Sequence, residues 1–314
     1  MLLPVEQSPL RPYRAYRAET PHHVLEAPGV LAFWHLASLD APTVAVVWAL
    51  AFAWAGGIHL PLWVPILLAL VTWLVYTGDR LLDARAHLHG PMGHALRERH
   101  FFHWRHRRIF IPLAAAASCM SAAVVLAFMP LMARERDSVL GAAALAYFSG
   151  VHFRRDEQGA TLRVARRLFT KEFLVGSLFT TGCLLPAWPQ IHTSGLAHAW
   201  LWQFWIPGVY FAALAWLNCS SIARWENEDT DRSSPSPRSP SASFRTASFL
   251  AFAGVLLAIL AGLSNPRAAA LLAMGALSAL LLALLDLERP HFSALALRAK
   301  ADLVLLTPLF LLLR

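Results

Sequence analysis

The sequence predicts an all-α, polytopic integral membrane protein with about nine transmembrane helices. Three observations predict it. Hydrophobic residues make up 57% of the 314 residues and charged residues only 15%, with a mean hydropathy of +0.49, outside the range of an ordinary soluble domain. The apolar residues gather into runs of membrane-spanning length, roughly 20 residues each. The basic residues fall almost entirely on one side of those runs.

In chain order the runs are 41–57, 61–77, 109–132, 138–153, 172–189, 199–218, 246–263, 268–286 and 302–313; the fourth and ninth are short. Residues 1–40 read as a cytoplasmic tail and 41–314 as one helical membrane domain. No signal peptide is expected, because residues 1–30 carry Pro, Arg and His without an apolar core. With the N-terminus cytoplasmic, every Lys and Arg lies on the cytoplasmic side except Arg134, Arg136, Arg267 and Arg314. That is a strong positive-inside bias, and it orients the bundle. The connections 78–108, 154–171 and 219–245 are long, charged and cytoplasmic, while those on the opposite side are short. Arg-over-Lys usage points to a bacterium and so to its inner membrane, the basic loops point to lipid headgroups or an anionic substrate, and no further feature supports nucleic acid. Residues 232–243, RSSPSPRSPSAS, read as a disordered linker. Cys119, Cys183 and Cys219 lack metal or disulfide spacing and read as small apolar filler.

The candidate chemistry lies where spans two and six meet the cytoplasm. In VYTGDRLLDARAHLHG, residues 75–90, Asp79, Asp83 and His87 recur every four residues and share one face if the helix continues. Carboxylates so spaced can converge on one Mg²⁺ that also takes phosphate oxygens. The plainer alternative is a solvated helix end with Asp79 and Asp83 paired to Arg80 and Arg85. Span six runs into LNCSSIARWENEDTDR, which offers Asn218, Arg224, Glu226, Glu228 and Asp229 on the same side. Two acidic helix ends on one face suit a metal-bound diphosphate bridged between them. Lys171, one of only two lysines, opens span five and can meet a phosphate or snorkel to the interface. Six histidines between His87 and His106 invite comparison with di-iron membrane enzymes, but those need boxes on several segments. RHFFHWRH reads instead as a basic interfacial helix. Trp48, Trp54, Trp73, Trp202, Trp205 and Trp216 can line a cavity or serve as packing and interface residues.

This layout resembles the UbiA-type intramembrane prenyltransferase superfamily. Its members have nine transmembrane helices and two Asp-rich motifs after helices two and six. Asp79, Asp83 and His87 match the spacing of the first motif. Asn218 falls at the leading acid of the second, with Glu226, Glu228 and Asp229 near its later acids. TKEFLVGSLFTTG, with Lys171, is similar to the family's basic opening of helix five, and Tyr147 to its helix-four tyrosine. The chain departs from the family in having Arg80 and His87 at acidic positions, and Asp40, Ala41 and Pro42 where an Arg-Pro pair stands.

The resemblance implies an enzyme, a transferase that moves a prenyl group from a polyprenyl diphosphate to an aromatic or other lipophilic acceptor. It implies Mg²⁺ on Asp79, Asp83, Glu226 and Asp229, diphosphate contacts from Arg80, Lys171, Arg224, Asn218 and Tyr147, and a role for His87 at the phosphate or as base. A non-catalytic isoprenoid- or lipid-binding protein on the same fold is the alternative.

Overall fold

The computed structural model describes residues 29–89, 97–153, 171–188, 201–230 and 241–313, with side chains for all of these but 86–89, 147–153, 171, 201, 203 and 227–230. They form helices, joined by short turns where the connection is described. In order these are α1 (Gly29–Leu36), α2 (Asp40–Ala55), α3 (Trp63–His89), α4 (Glu98–Arg105), α5 (Arg107–Phe128), α6 (Leu131–Phe153), α7 (Lys171–Leu184), α8 (Ile206–Thr230, after a π turn Leu201–Trp205), α9 (Ala242–Gly262), α10 (Pro266–Leu287), α11 (Ala294–Leu303) and α12 (Leu309–Leu312).

Five of them hold stretches long and apolar enough to cross a membrane: Trp63–Arg85, Arg107–Phe128, Ile206–Glu226, Ala242–Gly262 and Pro266–Leu287. The bent pair α1–α2 makes a sixth if counted as one span. α5 and α9 turn large apolar side chains outward, among them Leu126, Phe249, Phe252 and Ile259. Such uncovered apolar faces are what a bilayer solvates.

The other predicted spans differ, each for a local reason. α6 begins about two turns earlier than expected and carries Arg134, Glu135, Arg136 and Asp137 near its start. α7 has only 14 residues. The predicted run 302–313 is broken: α11 ends at Leu303, a 3₁₀ turn covers Val304–Leu306, and Pro308 precedes α12. The carbonyls freed by this break are taken up from outside. Trp48 Nε1 donates to Leu305 O at 2.9 Å and Ser278 Oγ to Val304 O at 2.7 Å. Non-helical backbone inside an apolar bundle is tolerated only with such partners.

The described parts of two predicted loops are largely helical. Residues 78–89 continue α3, and 98–105 form α4. Acids and arginines three and four residues apart support such an extension beyond the apolar run. Residues 219–230 likewise continue α8. The end of the predicted linker starts α9, where Ser241 caps the helix by accepting from Phe244 N at 3.0 Å. Asn265 caps α10 in the same way, with Pro266 at its first position.

α8 and α10 are central. Trp48 of α2 stacks on Phe211 of α8 with ring centroids 3.9 Å apart, and Phe52 meets the same ring edge-on. Tyr210 lies in the groove between α9 and α10, donating to Leu250 O at 2.9 Å. A Cβ at Gly254 or Gly275 would strike its ring, so these glycines admit the tyrosine between two tightly packed helices.

The described end of the expected tail, residues 29–40, is part of the bundle. α1 and α2 meet at 86°. The bend uses Ser38, a non-glycine residue at φ 60° in the left-handed region. Ser38 is fully buried, and its Oγ is 3.1 Å from His103 Nε2 on α4. The bend turns His35, at the end of α1, onto Asp40, at the start of α2.

Candidate functional site

A cavity of about 2130 Å³ runs between α3, α5, α6 and α7. From Trp63 to Asp79 along α3 it runs roughly 24 Å at the helical rise. Its length is apolar, with Leu67, Val71, Val125, Leu140, Val175 and Leu178 on the walls. At the Asp79 end Asp79, Arg97, Arg99, Glu226 and Arg298 ring it, and His35, Asp40, Arg80, Asn218 and Asp302 lie beneath; Arg134, Arg136 and Asp137, from the start of α6, also line it.

The helical extension of α3 puts Asp79, Asp83 and His87 one turn apart along a single helix, as the spacing predicts. Asp79 lines the cavity, and Asp79 and Asp83 both favour the charged form of Arg99. Burial works against that charge, and Arg80 and Arg97 add repulsion, so the Arg99 guanidinium is pushed down to about 9. It remains cationic at neutral pH.

Glu226 is enclosed by guanidiniums. It pairs with Arg97 and Arg298, and Arg99 Nη1 stands 3.4 Å away. Among the described residues, Asp79, Asp83 and Glu226 do not form a set of three within reach of one ion. Arg224 turns to α9 and donates to Ser243 Oγ at 3.1 Å, away from the cavity walls. The side chains of His87, Tyr147, Lys171, Glu228 and Asp229 lie outside the described residues.

Arg80 is buried beneath the rim rather than displayed at it. It donates to His35 O at 2.7 Å, and its Nη2 stands 3.3 Å from Asp40 Oδ2. Asp40 Oδ1 accepts from Ala41 N at 2.9 Å. His35 Nδ1 lies 2.6 Å from Asp40 Oδ2 and 3.7 Å from Asp302 Oδ2. Asn218 Nδ2 donates to Asp302 Oδ1 at 2.9 Å. One polar cluster thus joins α1, α2, α3, α8 and α11.

Sequence reasoning missed His35, Asp40 and Asp302 as site residues. Their signal is present all the same. Asp40 and Asp302 are single acids against apolar stretches, LDAPTVAVV and KADLVLLTP, and an acid so placed needs a partner. The partners are tertiary, so their identity is absent from the local pattern. Of the tryptophans, Trp48 is core, and Trp73 donates to Ala37 O at 3.0 Å; neither lines the cavity.

What the arrangement can do is hold an amphipathic molecule, with a long apolar part along α3 and an anionic head among Arg97, Arg99 and Arg298. In comparisons with known proteins, no family model, curated protein or solved structure matches the chain.

Proposed function

We propose that the chain is an intramembrane transferase that moves a prenyl group from a polyprenyl diphosphate to a lipophilic acceptor, with Mg²⁺ at the rim. The observation that carries the reading is the cavity. It is apolar over most of its length, ringed by arginines and carboxylates at the Asp79 end, and about twice the upper end of the usual volume of a small-molecule pocket. That suits a long apolar chain with an anionic head and leaves room for a second ligand. The nine-span arrangement, the cytoplasmic rim and the bacterial inner membrane belong to the same proposal.

Asp79 and Asp83 fit Mg²⁺ by donor type, since this ion commonly takes one or two carboxylates together with substrate phosphates. When bound, it neutralises charge building on a departing diphosphate. Arg97, Arg99 and Arg298 bind the head, and Glu226 holds them in place until an anion displaces it. The apolar walls keep water from the allylic centre.

A lipid-binding protein without turnover is the second reading. It is favoured by Glu226, which is engaged by three guanidiniums rather than turned to a metal.

The test is binding of geranylgeranyl diphosphate to the detergent-purified chain, with and without Mg²⁺, for wild type and Asp83→Asn, followed by assay of diphosphate release with candidate acceptors. Mg²⁺-dependent binding lost in Asp83→Asn, with release on adding an acceptor, supports transfer. The same binding with no release across acceptors supports the second reading. Absence of binding overturns both.

A further inference from the structure

The polar cluster beneath the rim has a chemistry of its own. His35, Asp40 and Asp302 each offer one ligand atom, and these atoms lie within 4.8 Å of one another, the one such group among the described residues. His35 is 3% exposed and Asp40 2%. Arg80 faces Asp40, and Asp302 adds a second carboxylate beside His35, so one negative charge is left to balance. It is met by a proton, on His35 or on Asp302 itself, or by a cation.

An independent observation points to the cation. Asn218, only 5% exposed, gives its Nδ2 to Asp302, while its Oδ1 has no hydrogen-bond partner. That oxygen belongs to an amide already seated against the cluster. Buried amide oxygens are almost always satisfied, and a metal ligand bond satisfies one as a hydrogen bond does.

We propose that His35, Asp40 and Asp302, with Asn218 Oδ1 as a fourth donor, bind a first-row divalent cation of the Mn²⁺ or Zn²⁺ type. One imidazole nitrogen with carboxylate and amide oxygens is a borderline donor set, which suits these ions better than Ca²⁺. Arg80 then acts from outside the ligand set, orienting Asp40 and the His35 backbone. The ion clasps the α1–α2 bend to α11, joining the two ends of the described chain under the cavity. This site is separate from the rim acids and does not rest on the prenyl-transfer reading.

Mn²⁺ alone is the probe. The purified chain, stripped with chelator, is titrated with Mn²⁺ and followed by continuous-wave and pulsed electron paramagnetic resonance. The expected result is about one Mn²⁺ per chain with imidazole-nitrogen coupling. Asp302→Asn weakens binding by at least about tenfold. His35→Gln removes the nitrogen coupling, and Asp83→Asn changes neither. Wild type that binds no Mn²⁺, or a nitrogen coupling that is absent or survives His35→Gln, overturns the proposal and leaves a proton-balanced ion network. The wild-type spectrum decides even where a variant fails to fold. Loss of diphosphate binding in Asp83→Asn with Mn²⁺ coupling intact separates this site from the rim.

Discussion

Arg80 Nη2 stands 3.3 Å from Asp40 Oδ2, joining the acidic end of α3 to the bend between α1 and α2. Arg80 and Asp40 are 4% and 2% exposed. A single-partner deletion at such a pair leaves a buried charge without compensation. Arg80→Met should therefore destabilise the protein by about 3–5 kcal/mol, whereas Arg80→Met with Asp40→Asn should recover much of that loss. Unfolding in mixed detergent, for the two single variants and the double, measures the coupling. An additive double variant would remove the pair from the stability argument.

Trp48 does two jobs in the core. It stacks on Phe211 and donates to the Leu305 carbonyl that the broken C-terminal segment frees. Trp48→Phe keeps the ring and loses the donor, so it should cost about 1–3 kcal/mol. Trp48→Ala also opens a cavity and should cost about 3–5 kcal/mol. Thermal melts of the two variants separate the contributions.

The His103 imidazole should make stability pH-dependent. Burial pushes it down to about 4, with repulsion from Arg80 also lowering it and the Arg99 carbonyl partly offsetting both. Nδ1 donates to Arg99 O at 3.0 Å, so neutral Nε2 accepts from Ser38 Oγ. The folded value is below the unfolded value of about 6.5, so the unfolded chain takes up a proton that the folded chain refuses. Above pH 6.5 His103 adds no slope. Between pH 6.5 and 4 stability should fall by a total on the order of 3 kcal/mol. His103→Asn should flatten that limb of the stability profile; an unchanged slope would assign it to other groups.

At the rim, Glu226 occupies guanidinium donors that an anionic head would use. Glu226→Gln should tighten geranylgeranyl diphosphate binding by about tenfold, roughly 1.4 kcal/mol. Weaker binding in that variant would instead make Glu226 a direct ligand of the head or its metal. Isothermal titration in detergent reads the sign.

The far end of the cavity should measure chain length. Gly182 lines it, and a Cβ there meets nothing within 4 Å. Gly182→Phe should leave the melting temperature near wild type. It should weaken a long polyprenyl diphosphate by about tenfold and spare a short one. Equal loss for both would place the bound chain elsewhere.

The amino-acid sequence by itself determined the helical class, the membrane setting and the continuation of an acidic face from the second apolar run. Those depend on composition and on spacing within one helix, where side chains four residues apart must share a face. Asp79 and Asp83 were therefore legible without a fold. The tertiary structure decided what those residues meet. Helix length alone did not show that residues 302–313 would break, because the break depends on Ser278 and Trp48 donating to the freed carbonyls. Arg80 read as a rim residue and is a buried partner of Asp40. Arg224 read as a phosphate contact and caps toward Ser243. His35, Asp40 and Asp302 come together only because a left-handed Ser38 bends the chain and α11 folds back over it. Local patterns encode the demand of a buried charge for a partner, and only the packing of distant segments says which residue answers it.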